Sequence, residues 1–205
     1  MEALRRIEGL AVGLPLANVD TDQILPARYL KVSRAQGFGD FLFRDLRFNR
    51  EGQVIRDFPL NDPAASGARI LVARRNFGVG SSREVAVYAL VDYGIRCVLA
   101  PSFGDIFAGN AVNNGLLAGI ITDADAEELL AAIGPAREAA VDLDAATISL
   151  GNRTIEFTID PVRRTKLLNG WDDLDLTMSY RDRIAAFQQA DRTRRPWAIP
   201  ARRGD

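Results

Sequence analysis

Apolar and polar positions alternate loosely over residues 7–16, which predicts a first β-strand. From residue 70 the pattern changes to short apolar runs separated by helix-forming stretches. Ile70-Leu71-Val72-Ala73 is apolar and rich in β-branched side chains, so it predicts a buried strand. Residues 84–93 contain good helix formers without internal Gly or Pro, and Gly94 stops them. Residues 96–100 and 116–122 predict two more strands. Between them, Ser102 lies three residues before Asp105 in a pattern close to a capping box, and Asn113-Asn114-Gly115 ends the short helix that follows. A further helix over residues 123–133 closes at Gly134-Pro135. Strand and helix in alternation from 70 to 133 predict a parallel or mixed sheet with covering helices, an α/β architecture.

Either side of that stretch the pattern differs. Residues 35–69 are polar and broken by Gly and Pro, yet they hold Phe38, Phe41, Phe43, Phe48 and Phe58. So many aromatics predict a packed loop region or lid rather than a disordered linker. Beyond residue 146, Thr147–Leu150 and residues 153–159 flank Gly151-Asn152 and predict a β-hairpin. Asp160-Pro161 starts a helix that Asn169-Gly170 stops, and residues 180–190 predict a last amphipathic helix. Residues 1–190 read as one domain. Residues 191–205, with five arginines, Pro196 and Pro200, are expected to be a mobile basic tail.

Composition narrows the function. At 205 residues the chain can bury a real core, and 47% hydrophobic with 26% charged residues is ordinary for a soluble protein. A net charge of −1 gives no reason to expect nucleic acid or an anionic membrane as partner. There is no run of the ~20 apolar residues a membrane span needs and no convincing targeting segment, so a cytoplasmic location is expected. Cys97 is the single cysteine and histidine is absent, so no metal site of the chain's own is expected. Cys97 sits in an apolar run and reads as a buried structural thiol.

The densest chemistry lies in Arg74-Arg75-Asn76-Phe77-Gly78-Val79-Gly80-Ser81-Ser82-Arg83-Glu84, between predicted strand and helix. Its glycines permit positive φ or close approach of a ligand. Free N–H groups at the helix start favour an anion, and Arg83 adds a fork suited to carboxylate or phosphate. The plainer reading makes the serines an N-cap. The stretch is not a phosphate P-loop, lacking Gly-Lys-Ser/Thr, nor a dinucleotide fingerprint, since Arg83 stands where a third glycine belongs.

Asn76-Phe77-Gly78-x-Gly80-Ser81-Ser82-Arg83-Glu84 resembles the signature of the 3-isopropylmalate dehydratase small subunits and of the matching swivelling domain of aconitase. Asn18-Val19-Asp20-Thr21-Asp22-Gln23-Ile24-Leu25-Pro26, Ala100-Pro101-Ser102-Phe103-Gly104-Asp105-Ile106-Phe107 and Asn113-Asn114-Gly115-Leu116-Leu117 resemble further family motifs in the same order. The resemblance covers roughly residues 5 to 190. It implies a swivelling β/β/α domain with a mixed sheet, as in the aconitase C-terminal domain. It also implies one half of a hydro-lyase that moves a hydroxyl between neighbouring carbons of a diacid by dehydration and rehydration, in leucine biosynthesis. On this resemblance Ser81 is the base, acting as an alkoxide, while Ser82 and Arg83 bind substrate carboxylate. Asp22 falls in the active-site region, and Asp20 is a structural partner of its turn. Residues 27–34 face the variable substituent of the substrate, with Leu25, Tyr29 and Leu30 suited to an apolar branch and Arg28, Lys31 and Arg34 to a carboxylate. The implied partner is a large subunit carrying a [4Fe–4S] cluster.

The chain departs from the family at Val79, where cysteine is usual, at Val85, where histidine is usual, and at Thr165-Lys166, where His-Cys is common. Two alternatives follow. One is a related hydro-lyase, a homoaconitase or a methyl-substituted malate dehydratase, kept open by Lys31. The other is a non-catalytic assembly paralogue, motivated by Val79 and Val85.

Overall fold

The computed structural model describes residues 1–198. A seven-stranded mixed sheet organises it: β1 (Arg6–Leu14), β2 (Ile70–Ala73), β3 (Cys97–Ala100), β4 (Leu117–Ile120), β5 (Arg137–Asp142), β6 (Thr147–Leu150) and β7 (Arg153–Glu156), in the order β4-β3-β2-β1-β5-β6-β7. The first four are parallel, with Ala11 opposite Ile70, Ile70 opposite Cys97 and Cys97 opposite Leu117. β5 runs antiparallel to β1, and β6 and β7 continue antiparallel. A bridge between Ile120 and Thr158 joins the two edges, so the sheet curls nearly closed.

Period-two alternation along the strands splits the core in two. Leu71, Ala73, Val98 and Ala100 point to one face, where α3 (Glu84–Tyr93) and α4 (Asp105–Asn113) pack, together with the aromatic segment that follows β1. Ile70, Val72, Cys97 and Leu99 point into the curl, covered by α5 (Asp123–Ile133), the β6–β7 hairpin and Leu167 of α6 (Pro161–Asn169). Cys97 is fully buried, and desolvation pushes its thiol well above the ordinary range.

After β1 the turn segment forms α1 (Thr21–Ile24), and the segment expected as a packed loop region, residues 35–69, contains α2 (Arg44–Arg47) and several 3-10 turns. Phe38, Phe43 and Phe58 are buried in it and Phe41 stacks on Tyr29, so its aromatics are local core. After α6 come α7 (Asp173–Ser179) and α8 (Arg181–Arg194). The last helix thus extends four residues past the expected end at Ala190, and residues 199–205 of the expected mobile tail lie outside the described residues.

Three features differ from the sequence reading. α7 was not expected, although Asp172 and Asp175 start it with a reciprocal capping box. β5 was not expected: Ala139, Ala140 and a single Val141 give little strand propensity, and pairing with β1 from Arg6–Asp142 to Ala11–Arg137 decides the matter. Ser102 does not cap α4, whose cap residue is Gly104 with no side-chain hydrogen bond. Its hydroxyl is used in the loop cluster described next.

Candidate functional site

Three parallel strands, β1, β2 and β3, end side by side, and the loops leaving their carboxyl ends converge. Ligands of open α/β sheets gather at such ends. The loop between β2 and α3 is held by both neighbours. Asn76 N–H donates to Ser102 Oγ (2.9 Å), Ser102 Oγ donates to Asn76 Oδ1 (3.0 Å), and Asn76 Nδ2 donates to Asn18 Oδ1 (2.7 Å). Gly78 N–H donates to Val19 O (2.7 Å) and Thr21 N–H to Val79 O (2.9 Å). Beneath them Phe77 is fully buried, edge-on to Phe107 at 5.4 Å and to Phe103 at 6.3 Å. Burial of such a ring contributes about 1.5–3 kcal/mol, and each aromatic pair roughly 0.5–1.5 kcal/mol more.

Gly78 is required by geometry. Its φ is +72°, and a Cβ there would lie 2.2 Å from Phe107 Cγ. The backbone carbonyl of Gly78 in turn leaves no space for a Cβ at Gly104, at 2.5 Å. The two loops are therefore in backbone contact.

On this base the chain presents Ser81, Ser82 and Arg83. Thr21, only 2% exposed, donates from Oγ1 to Ser81 O (3.0 Å) and fixes the backbone of the first serine. Both serines are exposed, and no described residue engages either hydroxyl. The cap residue of α3 is Arg83, without any side-chain cap bond, so the N-cap reading of the serines is not what the structure contains. The hydroxyls remain free for other chemistry at the positive end of a ten-residue helix.

Arg83 is mostly buried and its guanidinium donates to the carboxylate of Asp22 on α1. Asp20 caps α1 in a reciprocal box with Gln23, the structural part expected of it. Asp22, Ser81, Ser82 and Arg83 are thereby brought together. Arg34 is not among them: it pairs with Asp92 and lies over Tyr88 at 4.5 Å. Asp92 is eight residues beyond Glu84, about 12 Å along α3. Arg28 is likewise engaged, by Asp45, while Lys31 is exposed. Thr21 was missed by sequence reasoning, because a threonine between two aspartates in a turn gives no sign of being buried. Glu84 was also missed as a contact: Asn114 Nδ2 donates to it (2.8 Å), tying α4 to the first turn of α3.

No group of three or more His, Cys, Asp or Glu among the described residues is placed to hold a metal ion. No helix among them is long and apolar enough to cross a membrane.

The family model described as the aconitase C-terminal domain matches residues 1–122. The 3-isopropylmalate dehydratase small subunit of Rhodospirillum centenum is 47% identical over 202 residues, covering 97% of this chain and all of the relative. The corresponding small subunit of Paramagnetospirillum magneticum is 43% identical over 200 residues, 96% of this chain and all of that one. Among solved structures, 3-isopropylmalate dehydratase from Methanocaldococcus jannaschii superposes with a TM-score of 0.64 at 30% identity, covering 89% of this chain and 99% of its own.

Proposed function

The chain belongs to the family of 3-isopropylmalate dehydratase small subunits, built on the aconitase C-terminal domain, and from that premise we propose that it forms the small half of a cytoplasmic hydro-lyase that interconverts 2-isopropylmalate and 3-isopropylmalate in leucine biosynthesis. The observation that carries the reading is near-full-length likeness to small subunits, with a loop that holds two free serine hydroxyls beside an arginine.

The reaction breaks a carbon–hydrogen and a carbon–oxygen bond, releases water, and re-adds it with the hydroxyl on the neighbouring carbon. This chain's part is the proton. Ser81 as alkoxide takes the carbon-bound proton and returns it on rehydration. A serine hydroxyl is a poor base in water, so its anion must be stabilised by N–H groups and positive charge where water is excluded. The start of α3 and Arg83 supply the first two. Exposure of Ser81 and Ser82 means that water exclusion has to come from a partner laid over the loop. Ser82 and Arg83 hold a substrate carboxylate, and Asp22 orients the guanidinium. Arg34, held by Asp92 in the last turn of α3 and lying over Tyr88, reaches substrate only if its pair with Asp92 opens.

A [4Fe–4S] cluster does not fit this chain's own residues: Cys97 is fully buried in β3 and is the only thiol. We place that cluster on the large subunit, where it would act as the Lewis acid for the departing hydroxide.

The test is turnover by the reconstituted pair on 2-isopropylmalate, methyl-substituted malates and homoaconitate. Isopropylmalate as the preferred substrate supports the reading. Preference for the tricarboxylate, with loss of that preference in Lys31→Ala, would replace it with the homoaconitase alternative. An assembled pair that binds isopropylmalate without turnover would favour the assembly paralogue.

A further inference from the structure

Helices α7 and α8 bury no residue, although both carry large apolar side chains. A surface helix ordinarily turns its apolar stripe onto the core. Here Leu174 is 69% and Phe187 66% exposed, and Met178, Tyr180 and Ile184 are also open to solvent. Tyr180, Ile184 and Phe187 follow i, i+4, i+7 spacing on one face and, with Arg183, line a recess of about 400 Å³. A contiguous face of this kind marks an interaction surface.

The root of these helices is fixed. The Lys166 side chain, only 6% exposed, donates from Nζ to Asp173 Oδ1 (2.6 Å) at the first residue of α7 and also to Asn113 Oδ1. The next residue, Asn114, holds Glu84, which adjoins Arg83. A short path of hydrogen bonds and adjoining residues thus links the start of α7 to the rim of the serine loop.

We propose that α7 and α8 form an arm that docks on the large subunit, an inference that rests on the function proposed above. The exposed serine loop needs a cover to exclude water, and the arm is rooted at the rim of that loop, so one partner can seat on both. A second copy of the chain pairing arm to arm would leave the loop open. α8 carries Arg181, Arg183, Arg192 and Arg194 against Asp182 and Asp191, so the surface it fits is an apolar patch with an acidic rim.

The experiment uses the full chain and the purified large subunit. Leu174→Asp with Phe187→Asp should leave circular dichroism and melting unchanged. Affinity for the large subunit should fall roughly 30-fold or more, the scale of losing interface hot spots, with turnover recovered when the large subunit is saturating. If the double variant unfolds, Phe187→Ala should still weaken assembly about 5-fold or more. Wild-type affinity in the folded variant would overturn the arm alone. So would a wild-type homodimer that the variant dissociates without change in large-subunit affinity. Failure of the wild-type chain to bind the large subunit would overturn the proposed function and the arm with it.

Discussion

Arg83 donates to the carboxylate of Asp22, joining the start of α3 to a helix sixty-one residues earlier in the chain. Asp22 is 53% exposed, and ion pairs open to water contribute at most about 1 kcal/mol to stability. The pair is better explained by orientation: one side of the guanidinium is held and the rest of its five donors remain for a substrate carboxylate. Arg83→Lys should therefore raise KM in the assembled enzyme by a factor that reflects about 1.5–3 kcal/mol of lost charged hydrogen bonding, since an ammonium has no fork. Asp22→Asn should leave the melting temperature nearly unchanged while raising KM less than Arg83→Lys does. Steady-state kinetics on both variants checks this, and an unchanged KM for Arg83→Lys would remove Arg83 from the substrate site.

Gly78→Ala should damage the loop from below. A methyl group would add strain at φ +72° and collide with Phe107, whose ring is already packed against Phe77 and Phe103. Strained φ costs about 1–3 kcal/mol, and overpacking a similar roughly 1–3 kcal/mol. Gly109→Ala is the control: it lies within α4, a Cβ there meets nothing within 4 Å, and it should stabilise by about 0.5–1 kcal/mol. Urea denaturation of the two variants should move in opposite directions.

The alternating core was legible because each of its elements states itself locally. Ile70–Ala73 and Cys97–Ala100 are short apolar runs, and Gly94 and Gly134 stop the helices before and after. The mixed α/β sheet follows from that alternation. β5 was not legible, because its alanines pair through β1, which lies more than a hundred residues away, and long-range pairing leaves no local trace. Ser102 misled for a related reason: its position suits a helix cap, but Asn76, twenty-six residues distant, takes its hydroxyl. The grouping of Asp22 with Ser81 to Arg83 was reachable from the motif resemblance alone. Nothing in the residues around Arg34 indicated that Asp92 would hold it at the far end of α3.

The Lys166–Asp173 contact should show in the pH dependence of stability. Lys166 holds the Asp173 carboxyl below its usual 3.8, by hydrogen bonding first and by charge attraction second. A depressed folded-state pKa means that the unfolded chain takes up the proton more readily. The contribution is then complete above about pH 5 and is lost as pH falls from there through the folded-state value. Asp173 is 78% exposed, so water screens much of it. Measured by urea midpoints, the gap between wild type and Asp173→Asn should be constant from about pH 7 to pH 5 and close below about pH 4. A gap that persists undiminished into stronger acid would show that the contact acts through packing rather than charge.

Ser81 is where the structure sharpens the test of catalysis most. A serine that caps a helix loses about 1 kcal/mol of stability on replacement by alanine, which would confuse folding with chemistry. Here α3 takes its cap residue from Arg83, and the part of Ser81 that is held is its backbone carbonyl, by Thr21. Ser81→Ala preserves that carbonyl. Its melting temperature and its affinity for the large subunit should match wild type, while turnover falls roughly 10²–10⁴-fold, the scale of a positioned proton-transfer group. Ser82→Ala, one residue on and equally exposed, should raise KM more than it lowers kcat. Thr21→Val separates position from chemistry: it keeps the shape of the side chain but removes the hydrogen bond to Ser81 O, so kcat should drop by less than in Ser81→Ala. Near-normal turnover in Ser81→Ala would exclude this hydroxyl as the base, and a Thr21→Val variant as slow as Ser81→Ala would mean that placement of the loop, rather than the serine proton, limits the reaction.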